Sequence, residues 1–163
     1  MNKKIDSRVY WSGWAQDMKL KGGYGHFFNC WEWEWFCSLP LVLNNYSIAE
    51  KKLKVWRRDL AKGEHIQVAS MGVYTIVPMP HIHLLAFGKN KLGKTLYDVD
   101  TATWEDHWAH LTKRRAVIEE IFDSGGAVHY VSHLNTPPDR SEMLQSYNKH
   151  LLNKRKIGSC VSM

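Results

Sequence analysis

The residues with the clearest capacity for chemistry are two histidines one residue apart, in the run Pro80-His81-Ile82-His83-Leu84-Leu85-Ala86-Phe87-Gly88. A short apolar run between a proline and a glycine predicts a β-strand. On a strand, residues i and i+2 project from the same side, roughly 7 Å apart, so His81 and His83 stand together. Ile82, Leu84 and Ala86 then occupy the opposite side. Neutral imidazole nitrogens bind divalent cations, and two so placed can share one. The same spacing also fits a half-exposed strand that holds no metal, and spacing alone does not separate the two.

Positioning such a pair requires neighbouring strands and helices. Trp31-Glu32-Trp33-Glu34-Trp35-Phe36-Cys37-Ser38-Leu39 alternates aromatic and acidic residues before turning apolar, which predicts a strand with two unlike faces. Pro40 and Asn44-Asn45 close it. Ser47-Ile48-Ala49-Glu50 has the form of a capping box. The helix it opens carries Ala49, Leu53, Trp56 and Leu60 on one stripe and Lys51, Lys52, Lys54, Arg57 and Arg58 on its other sides, up to Lys62-Gly63. His65–Val77 reads as β-structure interrupted at Gly72 by a bulge or turn. Pro78-Met79-Pro80 separates it from the histidine strand, and the basic, glycine-spaced loop Gly88–Lys94 follows that strand.

Thr103 and Asp106 suggest a helix start, with Trp104, Trp108 and Leu111 at helical spacing. Ala116–Phe122 suits a helix or a buried strand equally. Beyond the break Asp123-Ser124-Gly125-Gly126, Ala127–Leu134 predicts a short helix, stopped by Thr136-Pro137-Pro138. A last helix is expected from about Asp139 to Lys154, with Met143, Tyr147 and Leu151 as its apolar stripe and Lys154-Arg155-Lys156 at its negative pole. This order indicates an α+β fold, a central antiparallel sheet with helices mainly on one face. The 163 residues suit a single domain: a lead-in over 1–30, a core of about 31–135, and a C-terminal helix and basic tail over 139–163.

Apolar residues make up 44% and charged residues 23%, which excludes wholesale disorder. A net charge of +6 and a pI of about 9.2 favour a polyanionic partner. Eight tryptophans are more than a small core usually requires, and flat rings can stack on bases. Even so, Trp31, Trp33, Trp35, Trp104 and Trp108 read first as core. Cys30, Cys37 and Cys160 lack zinc-site spacing and are expected to be reduced thiols. Met1-Asn2-Lys3-Lys4-Ile5-Asp6 has no signal-peptide character, and no stretch approaches the ~18 apolar residues of a membrane span. A cytoplasmic protein with no membrane partner is expected. Gly22, Gly23 and Gly25 make no phosphate-binding fingerprint.

The proline-led string His81-Ile82-His83-Leu84-Leu85 resembles the signature of the HUH endonucleases, which include rolling-circle replication initiators, relaxases and single-tyrosine transposases. The likeness extends over about residues 31–135. It includes an early apolar strand (Trp33–Leu43), a basic amphipathic helix, a tryptophan-bearing segment, and Gly126-Ala127-Val128-His129-Tyr130-Val131-Ser132-His133 where the family has a Gly-Ala-rich lead into a helix with Tyr-x-x-Lys. The initiators of plasmids and viruses are the best match.

The resemblance implies a ferredoxin- or RRM-like sheet, an Mg²⁺ or Mn²⁺ ion on His81 and His83, and cutting and rejoining of single-stranded or hairpin DNA through a 5′-phosphotyrosine. Tyr130 matches the first tyrosine of the family motif, and Tyr147 is the rival. His133 stands where the motif has lysine and is a candidate to assist the tyrosine or join the metal, or an ordinary surface histidine. Leu134 replaces the second tyrosine of two-tyrosine enzymes, so a single nucleophile is expected. Relatives take a third ligand from a neighbouring strand or from the tyrosine helix. Glu32, Glu34, His65 and Gln67 are on candidate strands, none at a diagnostic spacing. Lys89, Lys91 and Lys94, then Arg57 and Arg58, are nominated for DNA phosphates. With no ATP-binding helicase motif, a host helicase is an expected partner. The alternatives are an insertion-sequence transposase and a cleavage-inactive DNA-binding protein of the same fold. A histidine-triad hydrolase needs a third alternating histidine, where Leu85 stands.

Overall fold

The computed structural model describes residues 31–76, 79–121, 141–144 and 146–155. Within them the chain forms β1 (Trp35–Pro40), α1 (Tyr46–Glu64), β2 (Gln67–Thr75), β3 (His81–Lys89), a 3-10 turn (Leu96–Asp98), α2 (Thr101–Thr112), β4 (Val117–Glu120), β5 (Ser141–Met143) and α3 (Lys149–Arg155). The strands make one antiparallel sheet in the order β4-β1-β3-β2-β5, so the histidine strand is central. The fold is α+β. The expected helix at Ala127–Leu134, with Tyr130 and His133, lies outside the described residues, as do Cys30, Cys160 and the Gly22–Gly25 segment.

The two sheet faces bury different sets of side chains. Trp35, Cys37 and Leu39 of β1, Val68 and Tyr74 of β2, and Ile82, Leu84 and Ala86 of β3 face α1 and α2. α1 meets them with the stripe Ala49, Leu53, Trp56 and Leu60. Trp56 is the hinge of this layer. Its ring stands edge-on to Trp104 and Trp108, with centroids 6.4 and 6.2 Å away, and its Nε1–H donates to the Trp104 carbonyl. Edge-to-face rings with a satisfied indole N–H combine large apolar burial with a fixed orientation. Trp108 in turn donates to the Pro40 carbonyl, tying α2 to the end of β1.

The other face holds a smaller cluster of Trp31, Trp33, Phe36, Ala69, Met71, Val73, Leu85, Phe87 and Ile121, capped by Leu151 and Leu152 of α3. Helices therefore lie mainly, but not solely, on one face. Trp31 Nε1 donates to the Leu152 carbonyl at 2.8 Å, pinning α3 at the Phe87 end of the sheet.

Several local expectations change. The alternation through Trp31–Trp35 breaks. The strand begins only at Trp35, and Trp33 and Trp35 are buried on opposite faces, with Glu34 buried between them. α1 is capped by Asn45, whose side chain accepts from Ile48 N–H, two residues ahead of the expected box at Ser47. Similarly, Asp100 caps α2, ahead of Thr103. Ala116–Phe122 resolves as the strand Val117–Glu120. The single helix expected from Asp139 is instead strand β5 followed by the short α3.

β2 is continuous through Gly72, which is neither bulge nor turn. A Cβ there would stand 2.9 Å from both the His83 carbonyl oxygen and Leu84 Cδ1, so glycine lets β2 lie close against the histidine strand.

Candidate metal centre

β3 projects His81 and His83 from the face opposite α1, as residues i and i+2 of a strand must. His83 is buried and His81 half-exposed, so the pair forms a step from the sheet toward solvent. Their Nε2 atoms converge to 2.8 Å. Two adjacent ligands of an octahedral ion bonded at about 2.1 Å stand about 3 Å apart, so this separation fits one shared divalent cation.

Each ring is also held from behind. His81 Nδ1 is 2.6 Å from the Met79 carbonyl oxygen. A carbonyl only accepts, so Nδ1 carries the proton and Nε2 presents its lone pair. His83 Nδ1 is 3.5 Å from Ser38 Oγ, and Phe36 stacks on the His83 ring with centroids 5.4 Å apart and planes 14° apart. Outer partners of this kind orient the imidazoles of metal sites.

Burial, and then the positive charge available to His81, pushes the His83 imidazole down to about 3. It is therefore neutral, the form that binds metal, across the physiological range. A stability effect follows. The unfolded chain takes up a proton at His83 near the ordinary value of 6.5 and the folded chain does so only near 3. Between those limits the unfolded state binds more protons, so stability falls as pH falls below 6.5, by up to about 1.4 kcal/mol per pH unit from this group. Urea titrations in chelator from pH 7 to 4 should show a steeper loss for the wild type than for His83→Gln. Parallel losses would contradict the assignment.

Among the described residues, no group of three His, Cys, Asp or Glu side chains gathers around a common point. The four residues considered for a third ligand lie elsewhere. Glu32 is exposed ahead of β1. Glu34 Oε2 accepts from Gly88 N–H and Leu96 N–H, at the far end of β3. His65 follows α1, and Gln67 pairs with Lys89, again at that far end. Immediate neighbours of the histidines are Ser38, opposite His83 on β1, and Thr75, opposite His81 on β2.

The nominated DNA contacts do not join the site. Lys89 ends β3 six residues beyond His83, about 20 Å along the strand, and Lys91 follows it. Lys94 is bonded to Glu64 at 2.9 Å. Arg57 is buried, donates to Ser70 Oγ and lies 5.0 Å over the Tyr147 ring, so it is a core residue. Arg58 is exposed and paired with Asp59, on the helix that covers the opposite face.

Tyr147 is also misplaced for attack. It bridges to Ser70 and packs into the core on the α1 side, with the sheet between it and the histidines. Tyr46 and Tyr74 sit on that side too, their hydroxyls bonded to Glu50 and Asn44. The Tyr97 hydroxyl donates to the Ile121 carbonyl near the other end of the sheet. Sequence reasoning found the histidines but missed Ser38, Phe36 and the Met79 carbonyl. Ser38 alone carried a signal, as the one hydroxyl within Trp35–Leu39.

The chain matches no family model, no curated protein and no solved structure.

Proposed function

We propose that this protein is a metal-dependent nuclease that nicks and rejoins single-stranded or hairpin DNA through a tyrosine, as an initiator of rolling-circle replication of a plasmid or virus. One observation carries the reading: two Nε2 atoms converging to 2.8 Å from a central strand, each ring engaged at Nδ1. The sequence likeness at Pro80–Leu85 and Gly126–His133 and the net charge of +6 support it.

In this mechanism His81 and His83 would hold Mg²⁺ or Mn²⁺ through Nε2. When bound, such an ion polarises the scissile phosphate and offsets the charge that develops in the transition state. The Tyr130 hydroxyl attacks phosphorus in line, forms the 5′-phosphotyrosine and releases a 3′ hydroxyl. That hydroxyl later attacks the phosphotyrosine, restoring the strand and the free phenol without ATP.

Tyr130 remains the nucleophile of choice because Tyr147 is turned to the other side of the sheet. The chain following Tyr130 returns at Ser141, which pairs with Thr75, itself opposite His81.

The test is incubation of labelled single-stranded DNA with the protein and Mn²⁺, followed by mass-spectrometric mapping of any nucleotide-bearing residue. A covalent adduct at Tyr130, absent with chelator and absent in Tyr130→Phe, is expected, while Tyr147→Phe retains it. Binding with no adduct under any metal would leave a DNA-binding protein. An adduct at another residue would replace Tyr130.

A further inference from the structure

We infer that Ser38 is the positioning residue of the metal pair, its hydroxyl holding His83 in both the metal-free and the metal-bound state; this rests on the metal reading above. Ser38 lies directly opposite His83 in the β1–β3 register, so the backbone itself sets the two side chains on one face. It interrupts the run Trp35, Phe36, Cys37 and Leu39, all buried, and is itself half-buried. Its Oγ is 3.5 Å from His83 Nδ1.

The chemistry explains why a hydroxyl suits that position. His81 Nδ1 must donate to the Met79 carbonyl, which leaves His81 Nε2 bare. Without a metal, the 2.8 Å Nε2···Nε2 contact therefore needs a proton from His83 Nε2, and His83 Nδ1 is then an acceptor for the Ser38 O–H. With a metal bound, His81 and His83 would each offer Nε2 as the ligand atom, and the single proton of neutral His83 would sit on Nδ1 after exchange with solvent. Ser38 Oγ would then accept from it. A carboxylate or a carbonyl could serve only the second state. A hydroxyl serves both because it donates or accepts by rotating. Phe36, stacked flat on the ring, keeps the imidazole plane fixed while the proton changes nitrogen.

Mn²⁺ affinity, read by electron paramagnetic resonance of free Mn²⁺, tests this without DNA or turnover. Ser38→Ala and Ser38→Val are expected to weaken binding about tenfold, the low end for loss of an outer partner of a metal-bound histidine. Ser38→Thr, which keeps the hydroxyl on a β-branched frame matched in shape by valine, should restore wild-type affinity. Long-range ¹H–¹⁵N correlation on the wild type should find the His83 proton on Nε2 without metal and on Nδ1 with saturating Mg²⁺. Mn²⁺ binding that is equal in wild type, Ser38→Val and Ser38→Thr overturns the role of Ser38 and leaves the metal centre standing. A wild-type protein that binds no Mn²⁺ overturns both.

Discussion

Under the proposed metal-dependent cleavage of DNA, replacing His83 by alanine is expected to weaken Mn²⁺ binding by at least about a hundredfold and to remove cleavage, with single-stranded DNA binding retained. The bound follows from comparison: loss of an outer partner of a metal-bound histidine costs about 10- to 100-fold, and loss of the ligand itself must cost more. His83 is the more decisive of the pair. It is buried at the base of the site, bonded to His81 at 2.8 Å, opposite Ser38, and covered by Phe36, so its Nε2 has one direction in which to point. His81 stands nearer solvent, and its Nδ1 is held by a backbone carbonyl that mutation of side chains leaves in place. His81→Ala should therefore abolish cleavage too, with less effect on folding. Calorimetric Mn²⁺ titration and a denaturing-gel adduct assay on both variants, with circular dichroism to confirm the fold, make the comparison. Cleavage that survives in either variant would remove the metal pair from the mechanism.

The pair was legible in the sequence because strand periodicity is local: His81 and His83 share a face whatever surrounds them. The α1 stripe was legible for the same reason, each apolar residue falling at helical spacing. Less legible was how far one element lies from another. The Lys89–Lys94 loop is close to His83 in sequence, yet an extended strand carries it away at over 3 Å per residue. Arg57 has the spacing of a solvated flank, but α1 lies close enough to β2 for its guanidinium to reach Ser70. Tyr147 has the spacing of an apolar helix stripe and does pack against the core, but from a bridge beside β2 that precedes the helix. Gly72 looked like an interruption because a sequence records the missing side chain and not the neighbouring strand that fills its place. Trp33 and Trp35 are both buried, as expected of core, but they lie on opposite faces with the buried Glu34 between them.

The residue between them yields the second large effect, one on stability. Glu34→Ala is expected to destabilise the protein by about 3 kcal/mol, from two buried amide donors left without an acceptor at roughly 1–3 kcal/mol each. Glu34 Oε2 accepts from Gly88 N–H at 3.2 Å and Leu96 N–H at 2.8 Å, joining the segment before β1 to the end of β3 and to the 3-10 turn. Its backbone completes the join, with Glu34 N–H donating to Ala86 and Ile121 N–H donating to the Glu34 carbonyl. Burial raises the Glu34 carboxyl above its usual range, against the lowering pull of the Leu96 and Gly88 amides. Here the need is for an acceptor oxygen more than for a charge. Glu34→Gln, whose amide oxygen can take both bonds, should therefore keep most of the stability that alanine loses. Urea unfolding of the three proteins separates the cases, and equal losses in Gln and Ala would mean that the charge is what matters. Because Glu34 and the histidines lie at opposite ends of β3, Mn²⁺ affinity of the folded Glu34→Gln protein should match the wild type. A weakened affinity there would mean that the far end of the strand sets the geometry of the pair, and the local account of the site built on Ser38, Phe36 and Met79 would have to be widened.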